Sequence, residues 1–360
     1  MHTTNRQRMA RLQRLLEKNG LDSLLLASPP DWFYLTGFTG EAGALLVERQ
    51  SATLVTDGRF RVQAREEVRT LPVVLQKDGL YHTCGQLLRQ RKRRRVGFDP
   101  ERLTVSQLKV LRKAAGGSTR FRPAGALVEG LRALKDGQEL AAMRRAAILA
   151  SEVVEAGIKV LKPDVSELEV AAEIDYQMRR RGASGPAFET IVAFGERAAL
   201  PHARPTAKRL KRGELVVLDL GAILDKYCSD ITRTVFFGKA PAKIRSWYRA
   251  VKEAQEAAIA TVAVGRASGE VDAAARGVLA AYRLDQYFVH STGHGLGLEI
   301  HEDPRLAKGQ KTQLASGNVV TIEPGVYVAG VGGIRIEDDV AVHQGSSEVL
   351  THASRDFIEL

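Results

Sequence analysis

Three stretches of the chain place carboxylates and imidazoles where ordinary folding would not put them. In residues 215–238, Asp219 sits among Val217, Leu218 and Leu220, in what reads as the first strand of a hairpin turning near Asp225 and Lys226. A carboxylate in so apolar a strand requires compensation, because burying an unpaired charge is prohibitive. A turn at 225/226 sets Asp219 opposite Thr232 and makes Asp230 a diagonal neighbour on the same face, within side-chain reach. Two like charges there repel unless a cation lies between them. The plainer alternative gives one Asp a backbone or Arg233 partner and leaves the other exposed. In residues 288–304, His290, His294 and His301 are three of the eight histidines in the chain, and Gly293, Gly295 and Gly297 surround His294. So much glycine argues against a helical His-x3-His pair. It predicts irregular backbone approached closely by another group, with substrate one candidate. In residues 319–342, Glu323 ends an apolar strand before Pro324 and Gly325. Glu337 follows Arg335 by two residues, so both face one side, and residues 330–333 turn the chain between the two strands. The plain reading of that pair is an Arg335–Glu337 salt bridge.

Together these stretches offer four strand carboxylates and one glycine-flanked histidine. Hard oxygen ligands with a single imidazole suit Mn²⁺, Co²⁺, Fe²⁺ or Zn²⁺, and the carboxylate majority favours Mn²⁺. Four negative charges balance two divalent ions. Two such ions ~3.5–4 Å apart share a hydroxide, lower its pKa and clamp both oxygens of a tetrahedral intermediate.

The elements that must position these residues divide the chain in two. Over 1–125, helix-like and strand-like segments alternate: a helix at 6–19, strands at 23–26, 42–47, 52–56 and 71–76, and a basic helix near 60–68. This predicts an α/β domain with a mainly parallel sheet. Turn-rich sequence at 116–125 marks the boundary. Over 126–360 the expectation is α+β: helices at 136–160, 166–181 (N-capped by Ser166) and 242–262, with strands at 187–194, 214–222, 227–237, 318–329 and 333–343.

With 360 residues, the chain is long enough for two cores. No apolar run approaches the ~18 residues of a membrane span. The N-terminal MHTTNRQRMARLQRLLEKNG lacks an apolar stretch and a cleavage site, so it reads as an amphipathic helix rather than a secretion signal. Cys84 and Cys228 form no metal or redox spacing, which predicts a reducing, cytoplasmic setting. The net charge of +11 raises a polyanion partner. Its densest run, residues 89–95, has no interleaved aromatics and reads as a solvated helix end leading into a strand.

The ordered set of motifs resembles the pita-bread metallopeptidases, in the branch of aminopeptidase P and prolidase. The resemblance spans nearly the whole chain: YLTGFTGEAGALLV (34–47) and TDGRF (56–60), then the Asp-x10-Asp hairpin ending in SDITRT, GHGLGLEIHE, TIEPG and GGIRIEDD. It implies that Asp219 chelates one metal, that Asp230 and Glu337 bridge both, and that His294 and Glu323 complete the second, with Glu323 shuttling a proton. It implies that His202 stabilises the intermediate or contacts substrate, that His290 and His301 shape a proline pocket, and that Arg335 supports the bridging Glu337. The reaction implied is hydrolysis of an Xaa-Pro bond at a peptide N-terminus by metal-bridging hydroxide, in a homodimer whose N-terminal domain shapes the partner's active-site entrance.

FTGEAG and TDGRF look more like a short bacterial aminopeptidase P. Arg305, after His301-Glu302-Asp303-Pro304, points instead to a prolidase, where it can hold a dipeptide's free carboxylate. The main expectation is therefore an Xaa-Pro aminopeptidase, with an Xaa-Pro dipeptidase as the alternative. Methionine aminopeptidases share the five ligands but lack a full N-terminal domain and the Arg335-x-Glu337 pairing. Creatinase-like amidinohydrolases share the layout without the whole ligand set. A basic nucleic-acid-binding adaptor is the remote alternative; the intact ligand set argues against it.

Overall fold

In the first of two units, residues 1–132, apolar runs alternate with amphipathic helices. The structure, a computed structural model, describes residues 2–360, with side chains from residue 4 onward. The first unit contains α1 (His2–Lys18), β1 (Ser23–Leu26), α2 (Pro29–Thr36), β2 (Gly43–Glu48), β3 (Ala52–Thr56), α3 (Arg61–Glu67), β4 (Val73–Leu75), α4 (Leu80–Gln90), β5 (Arg95–Phe98), α5 (Val105–Ala115), β6 (Arg120–Pro123) and α6 (Ala126–Arg132). The strands form one sheet in the order β4-β3-β2-β1-β5-β6. β1, β2 and β3 run antiparallel, while β3–β4, β1–β5 and β5–β6 are parallel. Five of the six strands therefore run the same way, so the sheet is mainly parallel, with β2 alone reversed. Three residues join β2 to β3, and a parallel return needs a crossover of a dozen or more. Side chains alternate across the sheet: Leu25, Ala44, Leu46, Val55, Val96 and Phe98 pack against Cys84 and Leu88 of α4 and Leu111 and Ala115 of α5. α6 packs on α1, so this unit runs past the turn-rich stretch at 116–125 to Arg132.

The second unit, residues 133–360, opens with α7 (Gly137–Lys159) and α8 (Glu167–Arg180). Capping boxes start both: Asp136 with Glu139, and Ser166 with Glu169. Each satisfies amide groups the first turn leaves open. There follow β7 (Gly185–Pro186), β8 (Ile191–Phe194), β9 (Glu214–Leu220), β10 (Ala222–Leu224), β11 (Tyr227–Cys228), β12 (Ile231–Phe237), α9 (Ala242–Thr261), α10 (Ser268–Ala281), β13 (Gly293–Gly295), β14 (Glu302–Leu306), β15 (Val319–Ile322), β16 (Gly325–Val328), β17 (Gly332–Arg335), β18 (Asp338–His343) and β19 (Ser346–Val349). All pairings among them are antiparallel. α7 and α8 cover one face of β8, β9 and β12 through Val192, Phe194, Val216, Leu218 and Val235. The α9–α10 pair covers the other through Ile191, Ala193, Leu215, Val217 and Phe236, and continues over Val320, Ile322, Ile334 and Val340.

The expected long strands are each broken once. Residues 227–237 divide into β11 and β12 around Ser229 and Asp230; 318–329 divide into β15 and β16 around Glu323 and Pro324; 333–343 divide into β17 and β18 around Ile336 and Glu337. At all three breaks the chain changes sheet, β11 and β12 lying in two different three-stranded sheets. β15 and β18 belong to a five-stranded sheet, β16 and β17 to a two-stranded one. Three of the four candidate carboxylates therefore sit at strand interruptions rather than inside strands, and only Asp219 lies within one.

The α4–α5 crossing depends on Gly85, where an added Cβ would lie 2.5 Å from Ala114 Cβ and 2.7 Å from the Leu111 carbonyl oxygen. Gly85→Ala is expected to destabilise the protein by about 1–3 kcal/mol through overpacking. Gly117→Ala, which meets nothing within 4 Å, serves as the control. Urea melts of the two variants test this.

Candidate metal centre

The hairpin of β9 and β12 turns at Asp225 and Lys226, both with positive φ (52° and 74°), as a two-residue hairpin connection requires. Its register sets Asp219 opposite Thr232. Asp230, one residue before β12, has its backbone N–H bound by Asp339 Oδ2 at 3.0 Å.

His294 lies on β13. An added Cβ at Gly293 would fall 1.9 Å from the Thr321 carbonyl oxygen, and one at Gly295 would fall 2.3 Å from that of Asp303. The group approaching these glycines is thus neighbouring backbone on β15 and β14, not a ligand. The His294 ring is turned by its Nδ1, 2.9 Å from the Gly295 carbonyl oxygen. Its Nε2 then faces the acids, 3.8 Å from Asp230 Oδ2 and 3.7 Å from Glu323 Oε1. Ligand atoms of Asp230, His294 and Glu337 lie within 4.8 Å of one another.

Among the described residues, Arg335 is the one guanidinium that bonds to an acid of this cluster through its side chain. Its Nη2 donates to Asp219 Oδ2, its Nη1 to the Tyr327 hydroxyl at 2.5 Å and its Nε to Thr232 Oγ1 at 3.1 Å. Thr232 Oγ1 donates in turn to Glu337 Oε2 at 2.6 Å. Arg335 thus pairs directly with Asp219 and reaches Glu337 through Thr232, in place of the simple Arg335–Glu337 bridge. Tyr327 Oη lies 2.8 Å from His290 Nε2, and His290 Nδ1 lies 2.8 Å from the Ser291 carbonyl oxygen. One proton arrangement satisfies this chain: neutral His290 donates from Nδ1 to Ser291, Tyr327 donates to Nε2, and Arg335 donates to Tyr327.

The acids of the cluster outnumber the positive charge that its side chains supply. Burial, then repulsion from Glu337 and Asp219, pushes Asp230 well above the usual carboxylate range. Burial, then repulsion from Glu323 and Asp219, does the same to Glu337. Burial raises Glu323 to about 7 against the pull of Arg335. Burial also lowers His290 and His294 to about 4, so both imidazoles are neutral near pH 7 and offer lone pairs rather than charge. Asp219 Oδ1 and Asp230 Oδ1 are buried with no hydrogen-bond partner among the described residues. Buried acceptors are otherwise almost always satisfied. Two orphaned carboxylate oxygens beside two more acids and a neutral imidazole fit divalent cations.

Around this centre, the His301 ring packs edge-on against His294, with centroids 4.4 Å apart. His290 Nδ1 lies 3.9 Å from Glu323 Oε2. His202 is exposed and near enough to His290 and His301 to disfavour their protonation. Arg305, on β14, is exposed. Sequence reasoning did not find Tyr327 or Asp339 as members of the site. Tyr327 had a signal, standing four residues after Glu323 in a strand beside Arg335. Asp339 had none beyond a run of three acids.

Residues 141–344 match the Metallopeptidase family M24, and residues 8–134 match the Creatinase/Prolidase N-terminal domain. A Xaa-Pro dipeptidase from Pyrococcus horikoshii is 36% identical over 355 residues, covering 98% of this chain and 99% of the relative. The solved Xaa-Pro dipeptidase from Bacillus anthracis superposes with a TM-score of 0.95 at 36% identity, covering 99% of this chain and all of the other. An X-Pro aminopeptidase from Thermotoga maritima superposes at 0.89 and 32% identity, covering 97% of this chain and 100% of that one. An α/β N-terminal domain, antiparallel sheets wrapped by two helix pairs, and a buried acid cluster beside a neutral histidine make the chain a member of metallopeptidase family M24, of the pita-bread fold and the aminopeptidase P and prolidase branch.

Proposed function

We propose that this protein is a Xaa-Pro dipeptidase in which Asp219, Asp230, His294, Glu323 and Glu337 would hold two divalent cations. The observation that carries it is the buried convergence of four acids on one guanidinium, with Asp219 Oδ1 and Asp230 Oδ1 left unpartnered. The oxygen-rich donor set favours Mn²⁺. Bound there, the cations would polarise a scissile carbonyl and lower the pKa of water. His301 and His202, grouped beside the cluster, would donate to the developing oxyanion, and His290, whose one proton is held by the Ser291 carbonyl, would flank the proline ring. Glu323, 3.7 Å from His294 Nε2 and 3.9 Å from His290 Nδ1, would pass a proton to the leaving proline nitrogen.

The dipeptidase reading displaces the aminopeptidase suggested by FTGEAG and TDGRF. Relatives named for either activity match this chain over nearly its full length, so those segments do not separate the two, and the more similar of those cited carry the dipeptidase name. Arg305 supports the choice. It is exposed, makes no ion pair or side-chain hydrogen bond among the described residues, and can take a dipeptide's free carboxylate. The two cysteines are free and buried, which supports a reducing, cytoplasmic setting.

Three measurements test the proposal. Xaa-Pro dipeptides should show at least about tenfold higher kcat/KM than Xaa-Pro-Yaa tripeptides, and Arg305→Ala should raise KM for dipeptides with little change in kcat, as loss of uniform binding requires. Equal turnover of tripeptides would return the aminopeptidase reading. Asp230→Asn should lose bound metal, counted by elemental analysis, together with activity, while its circular dichroism spectrum stays that of the parent. The third concerns pH. The folded-state pKa of Glu323, about 7, lies above the ordinary 4.5. The contribution of that carboxyl to stability is therefore fully present below pH 4.5 and is lost as pH rises through about 7. Chelator-stripped protein should lose denaturant resistance across that window, and Mn²⁺ should abolish the loss.

A further inference from the structure

The net charge is not spread over the molecule. Residues 1–132 hold 24 Lys and Arg against 12 Asp and Glu, while residues 133–360 hold 29 against 30. The excess belongs wholly to the first unit, and within it to one segment: residues 79–128 carry twelve basic residues against two acids, Asp99 and Glu101.

The structure sorts the basic run at 89–95 into two sets. Arg91 and Arg93 both bind the buried carboxylate of Glu48, at 2.7 and 2.5 Å, and Arg95 binds Asp22 at 3.0 Å. These three hold α4 and β5 to the sheet. Arg89, Lys92 and Arg94 are exposed and make no ion pair or side-chain hydrogen bond among the described residues. A solvated helix end therefore accounts for only part of the run.

One of these three, Arg89, lines a concave surface. α4 and α5 touch where Gly85 meets Ala114, and a groove of about 840 Å³ is lined by His82, Gln86, Arg89 and Gln90 from α4 and by Val110, Lys113 and Ala114 from α5. Neither helix contains an acidic residue. Arg89 and Lys113 place two cations at the groove, and Lys109 and Arg112 add exposed charge on α5. The two glutamine amides and the His82 imidazole offer donors, acceptors and a flat ring beside them. A flat anionic membrane would not use a recess lined by amides. A flexible strand with phosphates along one edge and hydrogen-bonding bases along the other would.

We propose that the α4–α5 groove binds single-stranded nucleic acid, with Arg89 and Lys113 on the phosphates and Gln86, Gln90 and His82 toward the bases. This site is separate from the peptidase chemistry and does not depend on it.

The test is fluorescence-anisotropy titration of the full-length protein with a labelled single-stranded RNA 12-mer, from 50 to 200 mM salt. Affinity should fall log-linearly with salt, at about −0.7 per phosphate neutralised. R89A/K113A should bind at least tenfold more weakly. R61A/R65A, which removes the same charge from α3, should bind within about twofold of the parent. Both variants should keep parental dipeptide turnover and melting temperature. Equal weakening by the two variants would mean general charge attraction and would overturn the site. So would tighter binding of inorganic polyphosphate or of anionic phosphatidylglycerol vesicles than of the RNA, or no RNA binding at 50 mM salt.

Discussion

The second unit is organised around a charge imbalance that its own side chains do not correct. Asp219, Asp230, Glu323 and Glu337 converge in the interior, and Arg335 is the guanidinium that enters the cluster. Nearby histidines offer no relief, since burial keeps His290 and His294 neutral. Without cations, protons must take up the charge, which is why Asp230, Glu323 and Glu337 lie above their ordinary range. With two divalent ions the same acids can all ionise. On the proposed ligand set, metal binding and folding stability would be linked through one set of groups.

Interrupted strands make that convergence possible. A regular strand sends alternate side chains to opposite faces, and four acids on continuous strands would spread along a sheet. The breaks at Asp230, Glu323 and Glu337 free each of these residues from its ladder. At the latter two the chain passes between a five-stranded and a two-stranded sheet. Glycine does related work on β13. Gly293 and Gly295 let the backbones of β15 and β14 close in on both sides of His294, so the imidazole is held by packed strands and not by a mobile loop.

Much of this was legible in residues 215–238. Alternation and a two-residue turn at 225/226 suffice to set Asp219 opposite Thr232, and the observed register agrees. What period-two patterning cannot carry is the point where a strand stops. Val319–Ile322 and Gly325–Val328 share one apolar texture, and nothing in composition tells a break at Glu323 from continuation. The same limit hides α10, whose Ala- and Gly-rich sequence gives little periodic contrast. It also hides the partner of Arg335, because residues two apart in one strand compete with a partner more than a hundred positions away in another. In the first unit, β2 and β3 read correctly as strands, but their direction depended on a connection too short for a parallel return.

The run Glu337-Asp338-Asp339 shows how strongly surroundings, rather than residue type, assign a role. Three consecutive acids, each nearly fully buried, meet three different fates. Glu337 joins the cluster and is steadied by the Thr232 hydroxyl. Asp338 is neutralised by Arg233 at 2.7 Å and Arg355 at 2.6 Å, with Thr351 and Gln255 donating as well. Asp339 accepts the Asp230 backbone N–H and so fixes where that carboxylate starts. Arg233 is therefore not available to Asp219 or Asp230, although it stands in the same hairpin. A second arginine inside the cluster would neutralise an acid that a cation needs. Committing Arg233 to Asp338 keeps the cluster short of positive charge, and that shortage is what would favour a divalent cation there.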